Sequence, residues 1–284
     1  MSDIFDFGKR VDDYAVMGNP IGHSKSPRIH SLFAEQTGQA VNYTAIQVDT
    51  GGFKQAVGNF KAHSGKGLNI TVPFKQEAWQ LVDERSERAQ RAGAVNTIKF
   101  EKDKLYGDNT DGIGLVNDLI VNNQVVLKGK RILLMGAGGA ARGVLSPLLA
   151  EQPSALVIVN RTASKAIELA SEFSDLGNVA GCGYEKLTDE TAFDVIINAT
   201  AASLQGELPP LPDHVVAEDG CCYDMMYGAE PTRFMQWARE HDAAKILDGL
   251  GMLVEQAAES FNIWRGVQPN THVVIELLRK ELQA

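Results

Sequence analysis

Residues 131–143 read RILLMGAGGAARG, and this stretch limits the fold more narrowly than any other in the chain. Four consecutive apolar residues, Ile132 to Met135, predict a strand buried in a parallel sheet. Gly136, Ala137, Gly138 and Gly139 predict a tight turn, and Ala140 onward predicts a helix. Strand, glycine-rich turn and helix in that order supply the context that a bare G-x-G-x-x-G match lacks. Glycine serves here because a Cβ would keep the backbone from closing on a pyrophosphate, while the helix N-terminus offers unpaired N–H groups to the anion. Ala141 stands at the third fingerprint position, where a small residue allows close helix–strand packing. The turn thus predicts a Rossmann unit that binds a dinucleotide. Residues 1–130 precede it, enough for a separate domain, so something other than the cofactor is expected there.

The pattern downstream supports a six-stranded doubly wound sheet, with further strands at 156–159, 179–182 (a weak edge strand), 193–199, 220–224 and 245–247 and a helix at 163–173. Upstream, strands are predicted at 14–17, 42–48 and 67–72, and a pair at 94–100 and 104–106 about the charged turn 101–103. Ser26 as N-cap with Pro27 at N1 predicts a helix through Gln36, and 52–64 reads as another. Residues 1–13 read as a loose extension, and 112–122 as a linking helix. The helices predicted at 252–264 and 272–282 are expected to return to the first domain and close the cleft. The expected fold is therefore α/β with two domains: a substrate domain of 1–112 plus 252–284, and a dinucleotide-binding Rossmann domain of 113–251.

At the end of the second Rossmann strand, NAD-binding proteins place an acid that accepts from the ribose 2′-hydroxyl. Here Asn160 stands at that point, followed by Arg161, Thr162 and, one turn into the next helix, Lys165. A carboxylate would repel a 2′-phosphate, whereas arginine attracts it and bonds it bidentately. The expected cofactor is NADP(H). The net charge of −9 argues against nucleic-acid or anionic-membrane partners but leaves room for a small anionic substrate in a locally basic cleft. Cys182, Cys221 and Cys222 form neither a disulfide framework nor a zinc spacing, so no metal is expected. With no signal peptide and no uncharged apolar run of transmembrane length, the expected setting is the cytoplasm.

Three polar regions precede the fingerprint: GNPIGHSKSPRIH at 18–30, LNITVPFK at 68–75, and the pair GAVNT at 93–97 with GDNTDG at 107–112. They follow or flank predicted strands, where open α/β sheets bind ligands. They supply hydroxyls (Ser24, Ser26, Thr71), an amide (Asn96), a cation (Lys75) and an anion (Asp111), a set suited to a polyhydroxylated carboxylic acid. In these motifs, and in GAGGAARG, NRT, INAT, YDMMY and DGLGMLVEQA further on, the chain closely resembles the shikimate dehydrogenase family from Tyr14 to the C-terminus. The resemblance implies NADPH-dependent reduction of 3-dehydroshikimate to shikimate, in the pathway to chorismate and the aromatic amino acids. Carried over by position, it implies that Ser24, Ser26 and Tyr227 bind the substrate carboxylate. Thr71, Lys75, Asn96, Asp111 and Gln256 would bind the ring hydroxyls, with Lys75 as acid/base and Asp111 beside it. Gly136, Ala137, Gly138, Gly139 and Ala140 would hold the pyrophosphate, Asn160, Arg161, Thr162 and Lys165 the 2′-phosphate, and Met225 and Gly249 the nicotinamide side. One departure lies at 198–203, where Asn-Ala-Thr is followed by Ala-Ala-Ser and the family often has Ser-x-Gly.

Elementary chemistry supports the lysine independently. Hydride addition to a ketone leaves an alkoxide that must be protonated, and a partly buried ammonium gives up its proton readily. Read without the family, several of these residues have ordinary roles: His23 and His30 as packing or capping histidines, Ser26 and Asp111 as helix caps, Gln256 as a half-buried amide. The alternatives are a quinate/shikimate dehydrogenase with relaxed NAD/NADP use, a non-catalytic binding protein on the same scaffold, and a methylene-tetrahydrofolate-type dehydrogenase. Lys75 and Asp111 speak against the second, and Ser24, Ser26 and Tyr227 against the third. The oligomeric expectation is a monomer or homodimer.

Overall fold

The computed structural model describes residues 11–200, 202 and 207–283. Most of the expected N-terminal extension, and Ala201 and Ser203 of the departing loop, lie outside the described residues. The chain divides into two compact units. One runs to Gln90 and takes in Ala94–Thr110 and Ala257–Val274. The other comprises Arg91–Gly93, Asp111–Gln256 and the residues from Ile275 on.

The first unit is built on β1 (Asp12–Gly18), α1 (Ser26–Thr37), β2 (Val41–Gln47), α2 (Phe53–Ala62), β3 (Gly67–Ile70), α3 (Lys75–Leu81), β4 (Glu84–Arg85), α4 (Glu87–Ala92), β5 (Thr97–Phe100) and β6 (Leu105–Asp108). Its six strands are ordered β2-β1-β3-β5-β6-β4. β1 is parallel to β2 and β3, whereas β5 is antiparallel to both β3 and β6, so the expected pair about 101–103 is present. Ala15, Met17, Leu68, Ile70 and Ile98 of the sheet pack with Phe53, Val57, Phe74 and Ala78 from the helical side. Two details depart from expectation. Asp12 and Asp13 belong to β1 rather than to an extension, and Asp12 pairs with Arg265 at 2.5 Å. Ser26 is the first residue of α1 and not its cap. Lys25 takes the N-cap position without a side-chain bond, and the Ser24 hydroxyl, two residues upstream, accepts from the Ser26 N–H at 3.3 Å.

The second unit opens with α5 (Asp111–Asn117), which widens into a π turn at Asp118–Asn122. There follow β7 (Arg131–Met135), α6 (Gly139–Ala150), β8 (Ala155–Val159), α7 (Ala163–Glu172), β9 (Val179–Cys182), β10 (Phe193–Asn198), β11 (Val216–Asp224), α8 (Arg233–Glu240), β12 (Lys245–Leu247), α9 (Leu250–Arg265) and α10 (Thr271–Gln283). The strand order is β12-β11-β10-β7-β8-β9, all parallel, which is the doubly wound order with β9 at one edge. Alternation along β7 explains why its run is continuously apolar. Ile132 and Leu134 enter one core with Val144, Leu145 and Leu148 of α6, and Leu133 and Met135 enter another with Phe193, Phe234 and Trp237. Each such fully buried side chain contributes on the order of 2 kcal/mol of transfer free energy.

The compact units differ from the expected division at their edges. The first ends at Thr110 rather than 112, and α9 joins it only from Ala257, where Trp264 donates to the Ile98 carbonyl at 3.0 Å. The C-terminal residues from Ile275 belong to the second unit, where Arg279 pairs bidentately with Asp248 at 2.5 Å. Among the described residues no helix is long and apolar enough to cross a membrane, and no group of three or more His, Cys, Asp or Glu side chains is placed to hold a metal.

Candidate active site

In the first unit, register places the polar regions together. Met17 pairs with Ile70, Asn69 with Thr97, and Thr97 with Asp108, so the C-terminal ends of β1, β3 and β6 and the N-terminal end of β5 share one edge of the sheet. Ser24, Ser26, Thr71, Lys75 and Asn96 all lie on the segments leaving that edge. The Ser24 N–H donates to the Ile21 carbonyl at 3.0 Å, closing the turn before α1. Ser26 is buried and hydrogen-bonds Tyr43. The Thr71 N–H donates to the Met17 carbonyl at 3.0 Å. Lys75 is half-buried and opens α3, and its carbonyl accepts from the Val95 N–H at 2.9 Å, which seats the segment before β5. Asn96 is 2% exposed. Its amide donates to the Thr110 hydroxyl at 2.9 Å, and its carbonyl oxygen accepts from the Thr110 N–H at 2.9 Å.

A buried polar network supports this edge, and sequence reasoning missed most of it. The Asn69 amide donates to the hydroxyls of Ser260 at 3.0 Å and Thr97 at 3.2 Å, and its oxygen accepts from the Tyr43 hydroxyl at 2.7 Å. Ser260 and Thr97 are 2.7 Å apart. The only sequence signal was an asparagine inside the otherwise apolar strand LNI. Ser260, far off in the chain, carried none. Buried amides and hydroxyls of this kind hold one arrangement because breaking any member leaves an unsatisfied group.

In the second unit the residues expected to hold the cofactor lie at the C-terminal edge of the parallel sheet. The Gly136 N–H donates to the Val159 carbonyl at 2.7 Å, and its φ of 108° favours glycine. A Cβ there would also sit 3.2 Å from Thr200 Cγ2. Gly138 is the N-cap of α6 and has no side chain to bond the first-turn N–H groups. This is a cradle that fits a pyrophosphate. After β8, Asn160 donates from its backbone to the Cys182 carbonyl at 3.2 Å and from its amide to the Thr162 carbonyl at 3.0 Å. Thr162 caps α7 by position, and Arg161 and Lys165 are exposed. A cavity of about 950 Å³ adjoins this loop, lined by Asn160, Arg161, Tyr184, Thr188, Thr200 and the proline-rich segment 208–212 among others.

The loops after β10, β11 and β12 are tied to one another. Met225 donates from its backbone to the Asn198 carbonyl at 3.0 Å, and Gly249 to the Met226 carbonyl at 3.0 Å. Asp224 accepts from the Met226 N–H at 3.0 Å and the Thr232 hydroxyl at 2.6 Å. The Thr200 hydroxyl donates to Asn198 Oδ1 at 2.7 Å, so the described part of the departing loop is held from the strand end. Burial, and secondarily the Asp248 charge, push the Tyr227 hydroxyl above its usual range. The Gln256 amide donates to the Leu253 carbonyl at 2.7 Å.

Three family models match in chain order: a shikimate dehydrogenase substrate-binding domain at 16–98, a shikimate/quinate 5-dehydrogenase model at 119–205, and a shikimate 5′-dehydrogenase C-terminal domain at 249–279. The shikimate dehydrogenase (NADP(+)) of Nitrosococcus oceani is 60% identical over 272 residues, which cover 95% of this chain and 96% of that protein. The chain belongs to the shikimate dehydrogenase family. Among solved structures, the Ael1 enzyme of Pseudomonas putida superposes with a TM-score of 0.90 at 48% identity, covering 94% of this chain and 98% of the other. The shikimate 5-dehydrogenase of Thermus thermophilus, solved in complex with NADP(H) and shikimate, superposes at 0.84 with 31% identity, over 96% of this chain and all of that one. Both α/β units, in the order and class expected from the sequence, are therefore those of this family.

Proposed function

We infer that this protein catalyses the reversible NADPH-dependent reduction of 3-dehydroshikimate to shikimate, the oxidoreductase step of the pathway to chorismate and the aromatic amino acids. The observation that carries the reading is the gathering of Ser24, Ser26, Thr71, Lys75 and Asn96 on one edge of the first sheet, in a chain of this family. Ser24 and Ser26, with Tyr227, are assigned to the substrate carboxylate. Thr71, Lys75, Asn96, Asp111 and Gln256 are assigned to the ring hydroxyls. Gly136, Ala137, Gly138, Gly139 and Ala140 are assigned to the pyrophosphate, Asn160, Arg161, Thr162 and Lys165 to the 2′-phosphate, and Met225 and Gly249 to the nicotinamide side. NADPH, when bound, supplies the hydride. Lys75 gives the proton to the alkoxide oxygen that forms on reduction and takes it back in oxidation, and Asp111 is assigned to the same exchange. The substrate is a small molecule; the protein is placed in the cytoplasm, as a monomer or homodimer.

The deciding experiment is steady-state oxidation of shikimate with NADP, run beside quinate and beside NAD. Efficient turnover is expected only with shikimate and NADP. Quinate turnover comparable to shikimate would replace this reading with that of a quinate/shikimate dehydrogenase. The cofactor assignment has its own test. Exchanging the exposed Arg161 for alanine removes a charge-assisted contact to the 2′-phosphate, so KM for NADP should rise about 10- to 100-fold while KM for NAD changes little. Equal effects on the two cofactors would remove Arg161 from the phosphate site.

A further inference from the structure

Asp118 carries no motif, yet it is 3% exposed and stands where α5 widens into its π turn, a distortion that recurs at functional sites. Its Oδ2 accepts from the Tyr223 hydroxyl at 2.6 Å. Its Oδ1 accepts from the side-chain amides of Asn122 at 3.0 Å and Asn123 at 3.1 Å. The same oxygen faces the first turn of α9 so closely that a Cβ on Gly251 would lie 1.9 Å from it. One carboxylate therefore meets two points: it is hydrogen-bonded to the end of β11 through Tyr223, and it packs directly against the start of α9 at Gly251. Met225 and Tyr227 follow directly on the first point, and Gly249 directly precedes the second. The Gly249–Met226 backbone bond joins the loops between them. Gln256 lies later on the same helix.

We propose that Asp118 is a positioning residue for hydride transfer, setting through Tyr223 and the first turn of α9 the two loops assigned to the nicotinamide side. The proposal rests on the function inferred above. Keeping a carboxylate buried costs free energy that a hydrophobic filler would not, and three hydrogen-bond donors, Tyr223, Asn122 and Asn123, fix its geometry. What this arrangement contributes is a fixed distance between β11 and α9. A displacement of about 1 Å at a reacting centre lowers the rate on the order of 10²-fold, so the loss of this anchor is felt in chemistry before binding. The adenosine phosphates are assigned to β7, β8 and their loops; among the described residues the Asp118 carboxylate is hydrogen-bonded instead to Tyr223, Asn122 and Asn123.

The test uses the full chain, with Asp118→Ala, Asp118→Asn and Tyr223→Phe compared to wild type in NADPH-linked reduction of 3-dehydroshikimate. In Asp118→Ala, kcat is expected to fall about 10- to 100-fold with the dissociation constant for NADP nearly unchanged. With NADPH deuterated at the transferred position, the isotope effect on kcat should rise above that of wild type, because hydride transfer has become limiting. Asp118→Asn should restore part of the rate, Tyr223→Phe should shift both readouts in the same direction by less, and a fourth protein carrying both Asp118→Ala and Tyr223→Phe should be no worse than Asp118→Ala alone. Folded variants with unchanged kcat and isotope effect, or with NADP affinity falling in step with kcat, would overturn the proposal. If Asp118→Ala does not fold, Tyr223→Phe decides by the same two readouts, since it removes only a hydroxyl. A wild-type chain without this reductase activity overturns both the proposal and the function it rests on.

Discussion

Replacing Lys75 with methionine is expected to lower kcat for shikimate oxidation by about 10²–10⁴, the range that positioned proton transfer contributes, while leaving NADP affinity nearly unchanged. Methionine keeps the length and helix propensity of lysine but has no proton to give. Lys75 begins α3 and is only half-buried, and the contact that seats it, its carbonyl accepting from the Val95 N–H at 2.9 Å, is made by backbone. The variant should therefore fold normally. NADP affinity is the internal control, because the residues assigned to the phosphates belong to the second unit. Measuring kcat together with the NADP dissociation constant separates the alternatives. Near-normal turnover in the methionine variant would remove Lys75 from the acid/base role. A parallel loss of cofactor binding would show that the substitution had damaged the fold instead.

The elements legible in the sequence are those whose signal is local. The run ILLM and the glycines after it predicted β7, the turn and α6, because a two-face-buried strand and a φ of 108° each demand particular residue types. The NADP(H) expectation drew on a signal of the same local kind, since the absence of an acid at Asn160 is a property of one position. The candidate site residues of the first unit were nameable only through family motifs. Nothing in Ser24 or Thr71 announces a ligand without them. Helices α3 and α4 went unread because they are short, start just after Pro73 and just after the two-residue strand β4, and bury few side chains each. The cap of α1 was misplaced because a serine followed by proline fits the N-cap pattern, whereas the Ser24 hydroxyl already serves the Ser26 N–H. The supports of the site were illegible in principle. Asn69 with Ser260, and Asp118 with Tyr223 and Gly251, join positions far apart in the chain, and a π turn adds one residue to a helix without changing its apolar period enough to notice.

His30 carries the other large expected effect, and it bears on acid stability. The ring is fully buried in the first unit. It stacks on Tyr43 at 4.1 Å and 9°, with Phe33, Phe261 and Trp264 around it at 5.9, 6.1 and 5.4 Å. Among the described residues neither ring nitrogen has a hydrogen-bond partner of good geometry. Burial lowers the imidazole to about 3, with the neighbouring Asn69 acting weakly the other way. None of these five neighbours is acidic, so nothing in that set compensates a positive charge. In the unfolded chain the same ring titrates near 6.5. Between these values the unfolded state binds a proton that the folded state does not, so the stability present above pH 6.5 is lost as pH falls toward 3. The unfolding equilibrium constant should rise about tenfold per pH unit through that window from this residue alone. His241 has the opposite sign: desolvation lowers it, but the bond to the Trp237 carbonyl and the pairing with Asp213 at 3.2 Å, with the Glu240 charge, together outweigh that and raise it. Its contribution is common to wild type and variant and cancels in their difference. Urea unfolding at several pH values from 4.5 to 7.5, for wild type and His30→Phe, isolates the effect, since phenylalanine preserves an aromatic ring and cannot titrate. The wild type should lose stability more steeply below pH 6.5, with the difference between the two proteins constant above it. Parallel pH profiles for the two proteins would mean that His30 finds a proton-accepting environment that its aromatic surroundings do not provide.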